Sequence, residues 1–188
     1  AWGYNAAGQL GDGTTNNKSS PVQIGSATNW RSVSAGYNFT IAVKADGTLW
    51  AWGWNISSGY STDIITSPVQ IGTAANWRSA SAGFNHALMT RTDGTLWARG
   101  LNLYGQLGLG YQGGISSLVQ VGSATNWLSA SAGNQFSGAV KTDGTLWMWG
   151  AGLDGQLGDG VWDSQFSPVR IGSATNWQSV FAGYYEAL

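Results

Sequence analysis

Asp46-Gly47-Thr48-Leu49-Trp50 recurs as Asp93–Trp97 and Asp143–Trp147, and each copy is followed after two residues by Gly53, Gly100 or Gly150. Asp-Gly flanked by alternating apolar residues is a strong local signal for a tight β-hairpin. A two-residue type I′ turn needs positive φ at both central positions, and Asp and Gly tolerate it. Upstream, Ile41 and Val43 fall on one strand face; downstream, Trp50 and Trp52 share a face and Leu49 and Ala51 share the other. The stretch predicts the central hairpin of an antiparallel sheet, three times over.

Working outward, Asn-Trp followed by a phrase ending Ala-Gly recurs at Trp30, Trp77, Trp127 and Trp177, spacings of 47, 50 and 50 residues. A period near fifty with several short strands per unit indicates a β-propeller, whose blades bury their faces only by stacking on neighbours. The repeats are bounded at 1–50, 51–97, 98–147 and 148–188, the last truncated. Between the hairpin and the next Asn-Trp lie a glycine-rich loop and Ser-Pro-Val-Gln-Ile-Gly (Ser20–Gly25, Ser67–Gly72 and, with changes, Ser117–Gly122 and Ser167–Gly172). Pro21, Pro68 and Pro168 are expected at strand starts, where a missing N–H is tolerated.

Composition agrees. Charged residues are 9% of the 188, against about a quarter in ordinary globular proteins. Gly (29) and Trp (12) are abundant, and helix-forming Glu and Lys are scarce, which argues for an all-β chain. The net charge is −1 and the cations are scattered singly, so no basic patch offers itself to phosphates, which argues against a nucleic-acid partner. The absence of Cys excludes disulfides and thiolate metal sites, and no apolar run is long enough to span a membrane as a helix.

The phrases Ala-Trp-Gly-Tyr-Asn-Ala-Ala-Gly-Gln-Leu-Gly-Asp-Gly-Thr, Ser-Pro-Val-Gln-Ile-Gly and Asp-Gly-Thr-Leu-Trp resemble repeats of the regulator of chromosome condensation family, and the resemblance runs along essentially the whole chain. It implies four-stranded antiparallel blades, in a ring usually of seven. Four repeats are then part of a larger ring, completed by further repeats or by self-association. Ala1-Trp2-Gly3 matches the strand leaving the hairpin and Tyr184–Leu188 the strand entering it, so these two ends are expected to pair in a closed ring.

Trp30, Trp77, Trp127 and Trp177 are equivalent positions, as are Trp50, Trp97 and Trp147, and residues required in every unit serve the blade. Truncating one to Ala should cost about 3–5 kcal/mol. Positions where the units differ are more informative about binding. After Ala-Gly they read Tyr37-Asn38-Phe39, Phe84-Asn85-His86, Asn134-Gln135-Phe136 and Tyr184-Tyr185-Glu186. The family usually carries His at the third of these, and only His86 keeps it. The glycine-rich loops differ at Thr14–Ser19, Gly59–Ile65, Tyr111–Ile115 and Val161–Phe166. The candidate binding rim is therefore Tyr37, Phe39, Tyr60, Ile64, Phe84, His86, Tyr111, Phe136, Trp162, Phe166, Tyr184 and Glu186.

Catalytic chemistry has little to draw on. His86 is the single histidine, without an identifiable nucleophilic partner, and nothing indicates zinc or another cofactor. Asp154, Asp159 and Asp163 share one loop, but their spacing fits no EF-hand and Asp159 repeats as Asp12, so no metal site is assigned. Gly108-Leu109-Gly110-Tyr111-Gln112-Gly113 satisfies G-x-G-x-x-G without the strand-to-helix context a dinucleotide needs. Asn17, Asn38 and Asn55 lie in N-glycosylation sequons, which matter only in a secreted eukaryotic protein.

The reading is a non-enzymatic propeller scaffold that takes a protein or glycan partner through its variable loops or builds an assembly. Resemblance to repetitive members of the family implies a secreted, cell-surface or virion setting. Guanine-nucleotide exchange with chromatin binding is the alternative the family name carries, but no basic tail or long insertion supports it. Similar repeats also occur in an inhibitor of β-lactamases, and no inhibitory residue carries over.

Overall fold

A computed structural model describes residues 1–55 and 63–188. All regular structure among them is strand, arranged as three four-stranded antiparallel sheets in which sequence neighbours pair. The first holds β1 (Trp30–Ala35), β2 (Phe39–Lys44), β3 (Leu49–Trp54) and β4 (Ile64–Gln70). The second holds β5 (Trp77–Ala82), β6 (His86–Arg91), β7 (Leu96–Gly100) and β8 (Ile115–Gln120). The third holds β9 (Trp127–Ala132), β10 (Phe136–Lys141), β11 (Leu146–Gly150) and β12 (Gln165–Ile171). Each sheet draws strands from two consecutive sequence repeats. Residues 1–29 add a Gly3–Lys18 bridge that repeats the Gly53–Ile65 pairing, and the last residues add an Ala182–Ala187 bridge that repeats Ala82–Ala87.

The three repeated hairpins join β2 to β3, β6 to β7 and β10 to β11. Their turn differs from the expected type I′. Asp46 does not have positive φ; Gly47 does, at 78°. Gly47 N donates to Lys44 O and Lys44 N to Thr48 O, so a three-residue loop places Ala45 and Asp46 in an ordinary turn and Gly47 at the left-handed position. The reason is side-chain chemistry. Asp46 Oδ1 accepts from Thr48 N at 3.0 Å and Thr48 Oγ1 at 2.6 Å, and Thr48 Oγ1 accepts from Trp50 Nε1 at 2.8 Å. The same relay ties Asp93-Thr95-Trp97 and Asp143-Thr145-Trp147, which accounts for Asp, Gly, Thr and Trp in the motif. The Asp carboxyls are held below their usual range by these bonds to Thr.

Pro68 and Pro168 do not open strands, as expected from sequence, but sit inside β4 and β12. There the ladder slips, between Ala51 and Gly53 in the first blade and between Met148 and Gly150 in the third. An irregular outer strand is where proline costs least, because few ladder bonds require its N–H.

The middle strand of each blade is buried almost throughout. Blades stack, so both faces of these strands are covered and the hydrophobic residues run on. Three cores result, each between consecutive units. Phe39, Ile41 and Val43 pack with Trp77 and Met89; Leu88 and Leu96 with Trp127 and Trp149; Phe136 and Met148 with Val180. Trp77 and Trp127 are buried as expected, whereas Trp177 is 40% exposed, with no second Trp or cation across from it in residues 178–188.

The phrase ending Ala-Gly is an inter-blade clasp along the inner strands. Ala82 N donates to Ser34 Oγ at 3.0 Å, Ala132 N to Ser81 Oγ at 3.0 Å and Ala182 N to Ser131 Oγ at 2.9 Å. One residue on, Phe84 N donates to Gly133 O and Asn134 N to Gly183 O, both at 3.0 Å. A Cβ on Gly36 would stand 2.5 Å from Gly83 O, so the close approach requires glycine.

Candidate functional site

Strand direction puts the chain's features on two opposite ends. The Asp-Gly hairpins lie at one, clipped by the next Asn-Trp segment: Trp77 N donates to Gly47 O and Trp127 N to Gly94 O. The β1–β2, β5–β6 and β9–β10 turns and the β7–β8 and β11–β12 loops lie at the other, called the loop face. They are joined there by Leu101 N to Asn85 O and Ala151 N to Gln135 O.

Of the candidate rim, Tyr37, Phe84 and Tyr184 come together. They stand at equivalent turns around a shallow depression of about 230 Å³ where the inner strands converge, floored by Gly36, Gly83, Gly133 and Gly183. Tyr37 stacks on Phe84 with centroids 4.2 Å apart and a 23° tilt, and stays 60% exposed. Tyr184 meets Tyr185 edge to face at 4.5 Å. The Tyr185 hydroxyl is raised above its usual range, first by its neighbour Tyr184 and in smaller part by the Asp154 carboxylate. The start of the β11–β12 loop lies near this turn, since Ala151 N donates to Gln135 O and the adjacent Asn134 N to Gly183 O. Trp162 lies over Gly155 in the same loop with most of its ring exposed, and Glu186 is exposed.

Ile64 and Phe166 are partly exposed, and each packs on the glycine-rich loop of the preceding unit, Ile64 near Gly8 and Phe166 near Gly105. Tyr111 is half exposed while its carbonyl accepts from Asn102 Nδ2. Tyr60 lies outside the described residues. Three candidates are corrected: Phe39, His86 and Phe136 are buried rather than on the rim. The third turn residue is already the first residue of β2, β6 or β10, so its side chain enters the gap between blades. Asn134, left out of the rim, lines the depression, and Tyr185, also left out, packs against Tyr184 beside it. The equivalence of Asn134 to Tyr37 and Phe84 within the turn was the available signal, whereas Tyr185 stands where the other units carry Asn38, Asn85 and Gln135.

His86 shows how that gap is sorted. Ser137 Oγ donates its one proton to Gln106 O at 2.7 Å and therefore accepts from His86 Nε2–H at 2.9 Å, leaving Nδ1 unprotonated. Nδ1 is buried with no hydrogen-bond partner among the described residues. Burial lowers the imidazole to about 3, so it is neutral at physiological pH. Where the third turn residue is Phe, the next blade supplies a methyl instead: Phe39 shares its core with Ala87, and Phe136 with Ala187. The pairs are His with Ser and Phe with Ala. This imidazole is a structural key, buried beneath the Gly83 floor of the depression.

A second concavity, about 320 Å³, opens between the first two blades beside Trp52, Trp54, Ile65 and Arg99. Arg99 replaces the tryptophan that, as Trp52 and Trp149, donates to the carbonyls of Gln9 and Gln106. Its guanidinium reaches Asn55 Oδ1 at 3.4 Å and burial depresses its pKa. Among the described residues no three His, Asp or Glu side chains are placed to share a metal ion.

The family model for the regulator of chromosome condensation (RCC1) repeat matches residues 1–43 and 143–187, and a second model of the same description matches 30–60 and 77–106. The chain belongs to the regulator of chromosome condensation repeat family. Solved members share its blades. Human WBSCR16 superposes with a TM-score of 0.86 at 23% identity, covering 97% of this chain and 50% of that one. Yeast RCC1 (Prp20) bound to Kap60 gives 0.82 at 24%, covering 97% and 47%. Prp20p from Saccharomyces cerevisiae, in a structure described with its binding properties to Gsp1p and histones, gives 0.76 at 23%, covering 97% and 49%. At these identities the likeness is one of fold, and the chain spans about half the length of the structures it matches.

Proposed function

We propose that this chain is a non-catalytic propeller scaffold that binds a protein partner through its loop face. The observation that carries the reading is the aromatic surface at the axial depression, where Tyr37, stacked on Phe84, and Tyr184, against Tyr185, leave much of their ring surface open. Contiguous exposed aromatics on a rigid scaffold are the usual anchors of a protein interface. The opposite end offers less, because its repeated tryptophans are spent on its own cations: Lys44 between Trp30 and Trp50, Arg91 between Trp77 and Trp97, Lys141 between Trp127 and Trp147. The relatives support a protein partner, since yeast Prp20 has been solved with Kap60 and described with its binding properties to Gsp1p and histones. We also propose an extracellular, cell-surface or virion setting, a reading that rests on resemblance to repetitive members of the family and that surface labelling of the source cells or particles tests.

Affinity capture with the intact chain, followed by Tyr37→Ser and Tyr184→Ser variants, tests the binding surface. Capture lost in these variants and kept in hairpin-face variants supports the proposal. A partner whose capture is indifferent to both loop-face substitutions contradicts it. A glycan array run in parallel distinguishes a sugar ligand, which would use the same rings.

A further inference from the structure

The net charge of −1 conceals a separation of sign between the two ends. On the hairpin face lie Arg31, Lys44, Arg78, Arg91, Lys141 and Arg170, against Asp46, Asp93 and Asp143. On the loop face lie Asp12, Asp63, Asp154, Asp159, Asp163 and Glu186, against Lys18 and Arg99. Six cations face three acids at one end, and six acids face two cations at the other.

Neither loop-face cation serves the exposed rings. Lys18 Nζ is 3.1 Å from Asp12, and Arg99 is turned to Asn55 between blades. The hairpin face shows what this fold does with an aromatic pair and a cation: Lys44 Nζ sits 3.7 Å from the Trp50 ring centre and Arg91 4.1 Å from that of Trp97. At the loop face the rings are present, the negative charge is present, and the cation is missing. Tyr185 N donates to the Glu186 carboxylate at 3.2 Å, and Asp154 and Asp163 flank Gly155 and the Trp162 ring that rests on it. Rings and carboxylates therefore share one surface.

We propose that the loop face, from the axial depression to Trp162, docks a cationic protein segment. Its lysine or arginine side chains lie over Tyr184, Tyr185 and Trp162 and pair with Asp154, Asp163 and Glu186. Aromatic faces attract ammonium and guanidinium groups, and the carboxylates steer them inward. The aliphatic stems of Lys and Arg cover the apolar ring edges, which suits a peptide better than a bare cation. Nucleic acid is repelled by the same charge. This inference rests on the scaffold reading and narrows it to a partner chemistry.

The test uses the intact chain and a labelled Lys/Arg-rich peptide, with Gln-rich and Glu-rich peptides of equal length, read by fluorescence anisotropy at low and high salt. The cationic peptide should bind with an affinity that falls as salt rises. Asp154→Asn, Asp163→Asn and Glu186→Gln together should weaken it roughly tenfold, and Trp162→Leu roughly threefold. Both changes are at exposed positions and should leave the melting temperature unchanged, and Asp46→Asn with Asp93→Asn on the hairpin face should have no effect on binding. Equal affinity for the cationic and Gln-rich peptides would overturn the inference, as would loss of binding in the hairpin-face variant alone. If capture with the intact chain yields a partner that binds through Tyr37 and Tyr184 yet lacks a cationic segment, this inference falls and the scaffold reading stands.

Discussion

Replacing His86 with Phe and Ser137 with Ala would convert the one polar inter-blade key into the Phe–Ala pair used by the neighbouring blades. In the native protein the buried imidazole has a pKa of about 3 against an ordinary 6.5, so below pH 6.5 the unfolded chain takes up a proton that the folded chain refuses. The folded value is the lower one. This residue therefore leaves stability untouched above pH 6.5 and subtracts from it as pH falls toward the folded value. The slope approaches about 1.4 kcal/mol per pH unit, giving a loss of about 2.7 kcal/mol at about pH 4.5. The native carboxylates with depressed pKa change stability with pH in the same direction, but in a lower window. Asp12, lowered to about 2 by its bonds with Thr14 and Lys18 against a smaller opposing effect of burial than their sum, adds stability that is lost only as pH falls below 3.8. The double variant should show none of the loss between pH 6.5 and 4.5. At pH 7 it should remain within about 1 kcal/mol of the parent, because a polar pair is replaced on both sides at once. Ser137→Ala alone strands the His86 Nε2–H, while the Gln106 carbonyl keeps its bond from Trp149 Nε1, and should cost about 1–3 kcal/mol, so the two changes should couple by at least about 1 kcal/mol. Urea unfolding followed by tryptophan fluorescence at both pH values reads all four corners of the cycle. An unchanged acid-side loss in the double variant, or additivity within a few tenths of a kcal/mol, would refute the reasoning.

Gly94→Ala should be far more damaging than a surface glycine change, because φ is 79° and a Cβ would be driven into the Thr125 carbonyl of the next unit; a loss of about 3 kcal/mol or more is expected in chemical unfolding, whereas Gly113→Ala, with open space around it, should cost about 1. Arg91→Met keeps the aliphatic stem between Trp77 and Trp97 and removes the guanidinium, so the loss should be about 1 kcal/mol, seen as a lower midpoint without a change of slope. Trp77→Ala, at a position with no exposed surface, should cost about 3–5 kcal/mol in the same assay.

The blade was legible because its requirements repeat. Asp, Gly, Thr and Trp of the hairpin bond to one another within five residues, so the element is readable wherever the phrase occurs. The turn type was not, because the Asp side chain selects negative φ by capturing Thr48, a choice that the Asp-Gly pair alone does not reveal. The placement of Phe39, His86 and Phe136 was missed for a different reason: their neighbours are some fifty residues away, in the next blade. The compensating residues were in view, as Ala87, Ser137 and Ala187, but register across blades is needed before they can be matched. Charge separation between the ends was hidden in the same way. It emerges once strand direction assigns Asp46 and Asp154 to opposite faces.

The loop face as the binding surface is tested most directly by hydrogen exchange of the intact chain with and without its captured protein partner. Added protection is expected at the turns carrying Tyr37, Phe84 and Tyr184 and in the loop from Ala151 to Ser164, with Ala45–Thr48, Thr92–Thr95 and Thr142–Thr145 unchanged. Protection confined to those three hairpins, with the aromatic turns unaffected, would contradict the assignment.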